Sequence, residues 1–345
     1  MKTKGYIFLS VISLGTLLIA GTIFESEEVK TKLASKINGV NFVAPMNEIN
    51  AQNLNSLQRI NADWIAVIPY AYTPRNESNV NFYNHHPHWW GEGIQGTIAT
   101  ISMAKEKGLN VMLKPQVWVI GDGWPGDFRP NSEKEWKIWE NGYSEYILTY
   151  AKICDSLNVD LFCIATEYKL AVQHRPEFWI KLIKDIKKKY SGPLTYAANW
   201  DNYQKVKFWA ELDFIGIDAY FPLSEEKTPS IEELTEAWKN EISEIEEFSK
   251  KYNMQVLFTE YGYRSRDFSA HTQWNKSESG DINLLAQSNA YQALYSSIWN
   301  ETWMSGGFLW KWFAHDQDAG GIKDRNYTPQ NKPAEEIVKT WYSKH

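Results

Sequence analysis

Two glutamates close apolar runs in the same local setting. Ala165-Thr166-Glu167-Tyr168 and Phe258-Thr259-Glu260-Tyr261 each set Thr-Glu-Tyr at the end of an otherwise apolar stretch. A charged group ending such a stretch is costly to bury unless something answers its charge, so one of them alone would read as a solvated strand end. Two of them, on strands that would stand roughly opposite each other in an eight-stranded barrel, predict a working pair. Paired carboxyl groups suit cleavage of a glycosidic bond. One stays protonated to help the leaving oxygen depart, and the other stays ionised to attack or stabilise the anomeric carbon.

The pair needs elements to carry it. Short apolar or β-branched runs alternate with longer amphipathic ones, which predicts repeated βα units around a parallel sheet. Strands are expected near Gly39 to Val43, Asp63 to Pro69, Asn110 to Gln116, Asp160 to Thr166, Leu194 to Asn199, Phe214 to Tyr220, Gln255 to Glu260 and Gly307 to Trp312, each followed by a helix. Eight such pairs define a single α/β domain, a (β/α)8 TIM barrel. Ser132 with Glu135, and Ser230 with Glu233, have the spacing of helix-opening capping boxes, the first helix running to about Leu157. Gly108 and Asn158 stand just before strands, where a helix end needs positive φ. The long connections Tyr72 to Gly93, Trp118 to Asn131 and Gly262 to Asp281 all follow strands, which in a barrel puts them on the face where active sites lie.

Aromatic residues gather at the same end. Of 17 tryptophans, Trp89, Trp90, Trp118, Trp124, Trp200, Trp274, Trp310 and Trp312 fall on strand ends or the loops after them, and flat rings there suit the apolar faces of pyranoses. Trp136, Trp139, Trp179, Trp209, Trp299 and Trp303 lie on helical patterns and read as packing. Gln116, Trp118, Asn199, Trp200, Asp218, Tyr220 and Trp310 are the expected substrate contacts, because strand-end positions face the site. His85-His86-Pro87-His88 has no zinc-ligand spacing and reads as loop or sugar contact. Gly121-Asp122-Gly123-Trp124-Pro125-Gly126 lacks the Lys-Ser/Thr of a phosphate loop and reads as a turn presenting Trp124. No metal and no organic cofactor is expected.

Composition narrows the partner. With 345 residues, 43% hydrophobic and 23% charged, the chain is ordinary globular material, and a net charge of −6 offers no basic surface for nucleic acid. Cys154 and Cys163 form no disulfide framework and read as two buried thiols. Lys2 and Lys4 precede an uncharged stretch from Gly5 to Phe24, then Glu25, Glu27 and Glu28. Residues 1–26 therefore read as an export signal, either cleaved or kept as a membrane anchor, and residues 27–345 as the exported domain.

Three stretches together resemble glycoside hydrolase family 113 of clan A, whose characterised members are endo-β-1,4-mannanases. They are Cys163-Ile164-Ala165-Thr166-Glu167, Ile215-Gly216-Ile217-Asp218-Ala219-Tyr220-Phe221-Pro222-Leu223 and Leu257-Phe258-Thr259-Glu260-Tyr261-Gly262-Tyr263, with Gly307-Phe308-Leu309-Trp310-Lys311-Trp312 adding an aromatic eighth strand. The resemblance implies Glu167 as acid/base, Glu260 as nucleophile, double displacement, and a β-1,4-mannan or related mannose-containing polysaccharide as substrate. Two departures stand out. Thr166 occupies the place where many clan members carry Asn against the sugar 2-hydroxyl, leaving Asn199 as the candidate for that contact. The Arg that the clan commonly keeps on an early strand near the nucleophile is missing from Asp63 to Pro69, so the partner of Glu260 is open beyond a hydrogen bond expected from Tyr220. Another clan A β-glycosidase acting on a glucan, or a non-catalytic carbohydrate-binding barrel, would share much of this pattern.

Overall fold

The apolar runs become strands whose inward side chains fill one closed cylinder. The computed structural model describes residues 35–74, 77–82, 89–121, 124–271 and 280–345. In chain order its elements are β1 (Ile37–Phe42), α1 (Asn55–Arg59), β2 (Trp64–Val67), β3 (Tyr70–Pro74), α2 (Ile94–Glu106), β4 (Asn110–Leu113), β5 (Gln116–Ile120), α3 (Glu133–Ser156), β6 (Leu161–Thr166), α4 (Lys169–His174), α5 (Pro176–Lys187), β7 (Leu194–Asn199), β8 (Ile215–Asp218), α6 (Ile231–Tyr252), β9 (Val256–Tyr261), α7 (Leu284–Ile298), β10 (Met304–Trp312) and α8 (Pro333–Tyr342). A closed barrel runs β1-β10-β9-β8-β7-β6-β4-β2, with every paired neighbour parallel. This is a (β/α)8 barrel, and all eight expected strands are in it.

Alternation divides the core in two. Ile37, Ala66, Met112, Leu161, Cys163, Leu257 and Phe308 fill the inside of the barrel, while the larger outer cluster lies between strands and helices. The outer cluster is unusually aromatic. Trp139 of α3 stacks on Tyr143 at 4.8 Å and meets Tyr168 edge-on at 5.1 Å, and Tyr261 meets Trp299 at 5.4 Å. The capping boxes form by half: the Ser132 and Ser230 side chains accept from the Glu135 and Glu233 amides, but Glu135 accepts from the Asn131 amide and Glu233 from the Ser224 hydroxyl instead of the cap amides; Gly108 and Asn158 have φ of 74° and 50° as expected. Cys154 and Cys163 are buried and unbridged.

Several expectations need correction. The strands read to Pro69 and Gln116 end at Val67 and Leu113, and the chain restarts as β3 and β5, which pair in parallel from Tyr70 opposite Gln116 to Pro74 opposite Ile120. A second small sheet therefore stands above the barrel where loops were expected. No α-helix separates β7 from β8; 3-10 turns at Tyr203–Lys205 and Trp209–Glu211 cover the sheet with buried Tyr203, Phe208 and Trp209. Trp209 thus sits in a 3-10 turn and Trp303 in the turn before β10, both buried. Trp312, expected at the rim, is fully buried and donates from Nε1 to Ser56 Oγ at 2.9 Å, because its place in β10 turns it toward the outer core. Among the described residues no helix is long and apolar enough to cross a membrane. The segment 1–26, the His85-His86-Pro87-His88 run, Asp122, Gly123 and Trp274 lie outside the described residues.

Candidate active site

Glu167 follows β6 and Glu260 lies in β9, both at the C-terminal mouth, and only 9% and 7% of their surfaces are exposed. The repeated tyrosine after each glutamate now has a physical reason. Tyr168 packs outward into the α3 and α5 aromatics, and Tyr261 shares hydroxyl hydrogen bonds with Tyr295 at 2.9 Å and Tyr342 at 2.6 Å. Each tyrosine pins its strand end to the helical layer while the glutamate before it turns to the mouth.

Backbone irregularity sets both carboxylates. Glu167 has φ of 56°, a left-handed conformation rare for glutamate, and its amide donates to the Ala197 carbonyl at 2.8 Å. In β9, Leu257 belongs to the inner cluster, so simple alternation would aim Glu260 outward. The register with β8 slips between Ile217/Phe258 and Asp218/Glu260, and that bulge brings Glu260 inside. Asn41 of β1 fixes the irregular stretch, its Nδ2 donating to the carbonyls of Thr259 at 3.1 Å and Phe308 at 3.0 Å.

Glu260 is ringed by donors. Lys114 Nζ binds its Oε1, Gln116 Nε2 reaches the same oxygen at 3.3 Å, and Tyr220 donates its hydroxyl to Oε2 at 2.8 Å. The Tyr220 bond is the one expected. Lys114, which sequence reasoning missed, takes the place left open by the absent arginine. It follows β4, is fully buried, and also lies 3.8 Å from Asp218 Oδ1. Burial would lower its pKa, but the carboxylates of Asp218 and Glu260 outweigh burial and hold the ammonium above its ordinary value. The signal that could have found it is a lysine ending an apolar strand in register with inward Met112.

Glu167 has a different environment. Burial first, and the nearby Glu260 carboxylate second, push its pKa from 4.5 up to about 7, against a 2.6 Å hydrogen bond from Trp124 Nε1 to Oε2. Lys169, paired with Asp201 at 2.5 Å, lies 5.8 Å over the Trp124 ring and steadies it. Asp218 forms a third carboxyl beneath the pair, completely buried, with Thr259 Oγ1 donating to Oδ1 at 2.8 Å. Burial and Glu260 drive its pKa well upward despite Lys114. One buried cation, Lys114, thus lies among three buried carboxyl groups, and the pKa values of Glu167 and Asp218 are raised.

The remaining predicted contacts separate. Asn199 is buried at the end of β7 with Oδ1 lacking a hydrogen-bond partner, as do Thr166 Oγ1, Glu167 Oε1 and Asp218 Oδ2, so the mouth is rich in free acceptors. Trp310 lies half-buried with Lys114 Nζ 5.9 Å from its ring centroid. Trp200 packs on Phe221 at 5.9 Å. Gln116 and Trp118 face the same way on β5, but Gln116 reaches Glu260 while Trp118 is 59% exposed farther out. Asp218 lies beneath Lys114 rather than at the open surface.

A protonatable carboxyl beside a donor-ringed one at the mouth of a (β/α)8 barrel defines the class: a glycoside hydrolase. Comparison with known proteins agrees. The model of Glycoside Hydrolase Family 113 matches residues 45–332, and the chain belongs to that family. Two solved structures of family 113 β-1,4-mannanases are similar, one at 28% identity with TM-score 0.77 and one at 27% with 0.76, each covering 90% of this chain and 100% of the other. A family 113 β-mannanase from Alicyclobacillus acidocaldarius shares the fold at 23% identity and TM-score 0.78, over 90% of this chain and 98% of that one. No curated protein sequence matches the chain.

Proposed function

We propose that this glycoside hydrolase cleaves β-1,4-mannan or a related mannose-containing polysaccharide within the chain, by double displacement. Glu260 attacks the anomeric carbon while Glu167 protonates the departing oxygen; Glu167 then takes a proton from water, which releases the sugar from Glu260. The observation that carries the reading is the unlike surroundings of the two carboxyl groups. Lys114, Gln116 and Tyr220 all donate to Glu260, whereas burial and Glu260 raise Glu167 to about 7, far above an ordinary carboxyl, so it holds a proton over the mildly acidic range. Lys114 takes the charge-neutralising role, and Asn199, Trp200, Trp310 and Trp118 serve as substrate contacts. The 27% and 28% identical structures are those of β-1,4-mannanases, which supports the substrate class.

Residues 1–26 would act as an export signal or anchor, placing the domain outside the cytoplasm. Reducing-sugar release from β-mannan, glucomannan, xylan and cellulose tests the function. Mannan cleavage that falls at least a thousandfold in both Glu167→Gln and Glu260→Gln is expected, on the scale of acid/base and nucleophile removal. Cleavage of cellulose in preference to mannan would move the substrate to a glucan, and sugar binding without cleavage of any polymer would make the barrel a binding protein.

A further inference from the structure

Among the described residues, two cations at the barrel mouth form no ion pair with a carboxylate. Arg264 lies in the loop after β9, and Lys311 lies in β10, which pairs with β9 through Leu309 and Tyr261. Adjacent strands thus deliver both to one edge of the mouth, next to Glu260. Among the described residues neither forms an ion pair. Each rests on aromatic faces instead: Arg264 lies 5.0 Å from the Tyr327 ring centroid, and Lys311 lies 5.7 Å from that of Trp310 and 5.2 Å from that of Phe313. Tyr327 in turn packs edge-on against Tyr220, the donor to Glu260, at 6.0 Å.

The surrounding charges do not neutralise them. Asp324 is engaged by Lys332 at 2.6 Å and Glu260 by Lys114. Arg264 Nε is buried without a hydrogen-bond partner. Burial lowers the Lys311 pKa and Arg264 lowers it further, against Glu260 and Asp324. Two half-buried cations held together are mutually repulsive, and an arriving anion would relieve that repulsion while gaining charge-assisted hydrogen bonds.

We propose that Arg264 and Lys311 form an anion-binding subsite beside Glu260 that takes the carboxylate or phosphate of an acidic sugar unit in the polysaccharide. The proposal rests on the glycosidase reading above and narrows its substrate. Trp310 and Tyr327 would then hold the apolar ring faces while the two cations select the charge.

Calorimetry on the full chain carrying Glu167→Gln, which stalls turnover, compares a neutral manno-oligosaccharide with the same oligosaccharide bearing a glucuronate or a 6-phosphate. At low salt an acidic ligand is expected to bind about tenfold more tightly, as for one charged hydrogen bond. That advantage should shrink with added sodium chloride and vanish when Arg264→Gln or Lys311→Gln is added. The preferred acidic ligand identifies the source as uronate or phosphate ester. Equal affinity for neutral and acidic ligands, an advantage insensitive to salt, or one that survives both substitutions would overturn the subsite. Wild-type cleavage of neutral β-mannan reads the underlying function separately: cleavage without acidic preference sinks the subsite alone, and acidic preference without mannan cleavage sinks the mannanase reading alone.

Discussion

At the scale of single residues, the account turns on what surrounds each carboxyl group. Lys114 is fully buried between Glu260 and Asp218, so Lys114→Met would leave two buried carboxyl groups without their cation. We expect kcat/KM to fall by about a hundredfold or more, with loss of stability on the order of 3 kcal/mol, measured by kinetics and by denaturant titration. Under the proposed mechanism Glu167 donates the proton, and burial with Glu260 pushes its pKa up to about 7, so kcat/KM should decline as pH rises through that value. The Trp124 hydrogen bond favours the carboxylate, so Trp124→Phe raises the pKa and moves the alkaline limb upward; a limb that stays or moves down contradicts the assignment. The same shift fixes a sign for stability. A carboxyl whose folded pKa exceeds its unfolded one stabilises fully below about 4.5 and loses that contribution as pH rises through about 7. Glu167→Gln should therefore gain, relative to wild type, roughly 1–3 kcal/mol between pH 5 and pH 8 in unfolding experiments. The two glutamates were legible because each ends an apolar strand. Lys114 was not, since a lysine before Pro115 reads as an exposed strand end until the closed barrel surrounds it with carboxylates.

At the scale of elements, the eight barrel strands were legible because apolar runs of strand length stand between helical patterns. The small sheet was not. Tyr72 and Trp118 open the long connections after β2 and β4, so Tyr70–Pro74 and Gln116–Ile120 read mostly as loop, and only their pairing with each other makes them strands. The direction of Glu260 was equally hidden, because alternation from Leu257 points it outward and the bulge against β8 reverses that. The missing helix between β7 and β8 follows from rings packing where a helix would lie, which composition cannot announce. One close approach makes the element scale testable. A Cβ on Gly262 would stand 2.4 Å from the Trp310 carbonyl oxygen, so only glycine lets the end of β9 lie against β10 there. Gly262→Ala should cost about 1–3 kcal/mol in stability and lower kcat/KM by displacing Glu260 and Trp310 together. Unchanged kinetics in that variant would mean that the β9 and β10 ends are not jointly positioned.

At the scale of the molecule, β3 and β5 add to the barrel a small separate sheet that carries exposed Trp118. Trp118→Ala is expected to weaken turnover of long mannan while leaving short oligosaccharides nearly unaffected, because the ring lies beyond the carboxylates; equal losses on both would place it at the reacting sugar. The export reading belongs to this scale too, and N-terminal sequencing of the protein from fractionated cells checks whether residues 1–26 are removed. The most direct test of the mechanism is the anomeric configuration of the first product, followed by proton NMR during cleavage of a β-1,4-manno-oligosaccharide by the full chain. Double displacement through Glu260 predicts that the β-anomer appears first and converts to α only by mutarotation. Appearance of the α-anomer first would mean inversion by a single displacement, with Glu260 activating water rather than attacking the sugar.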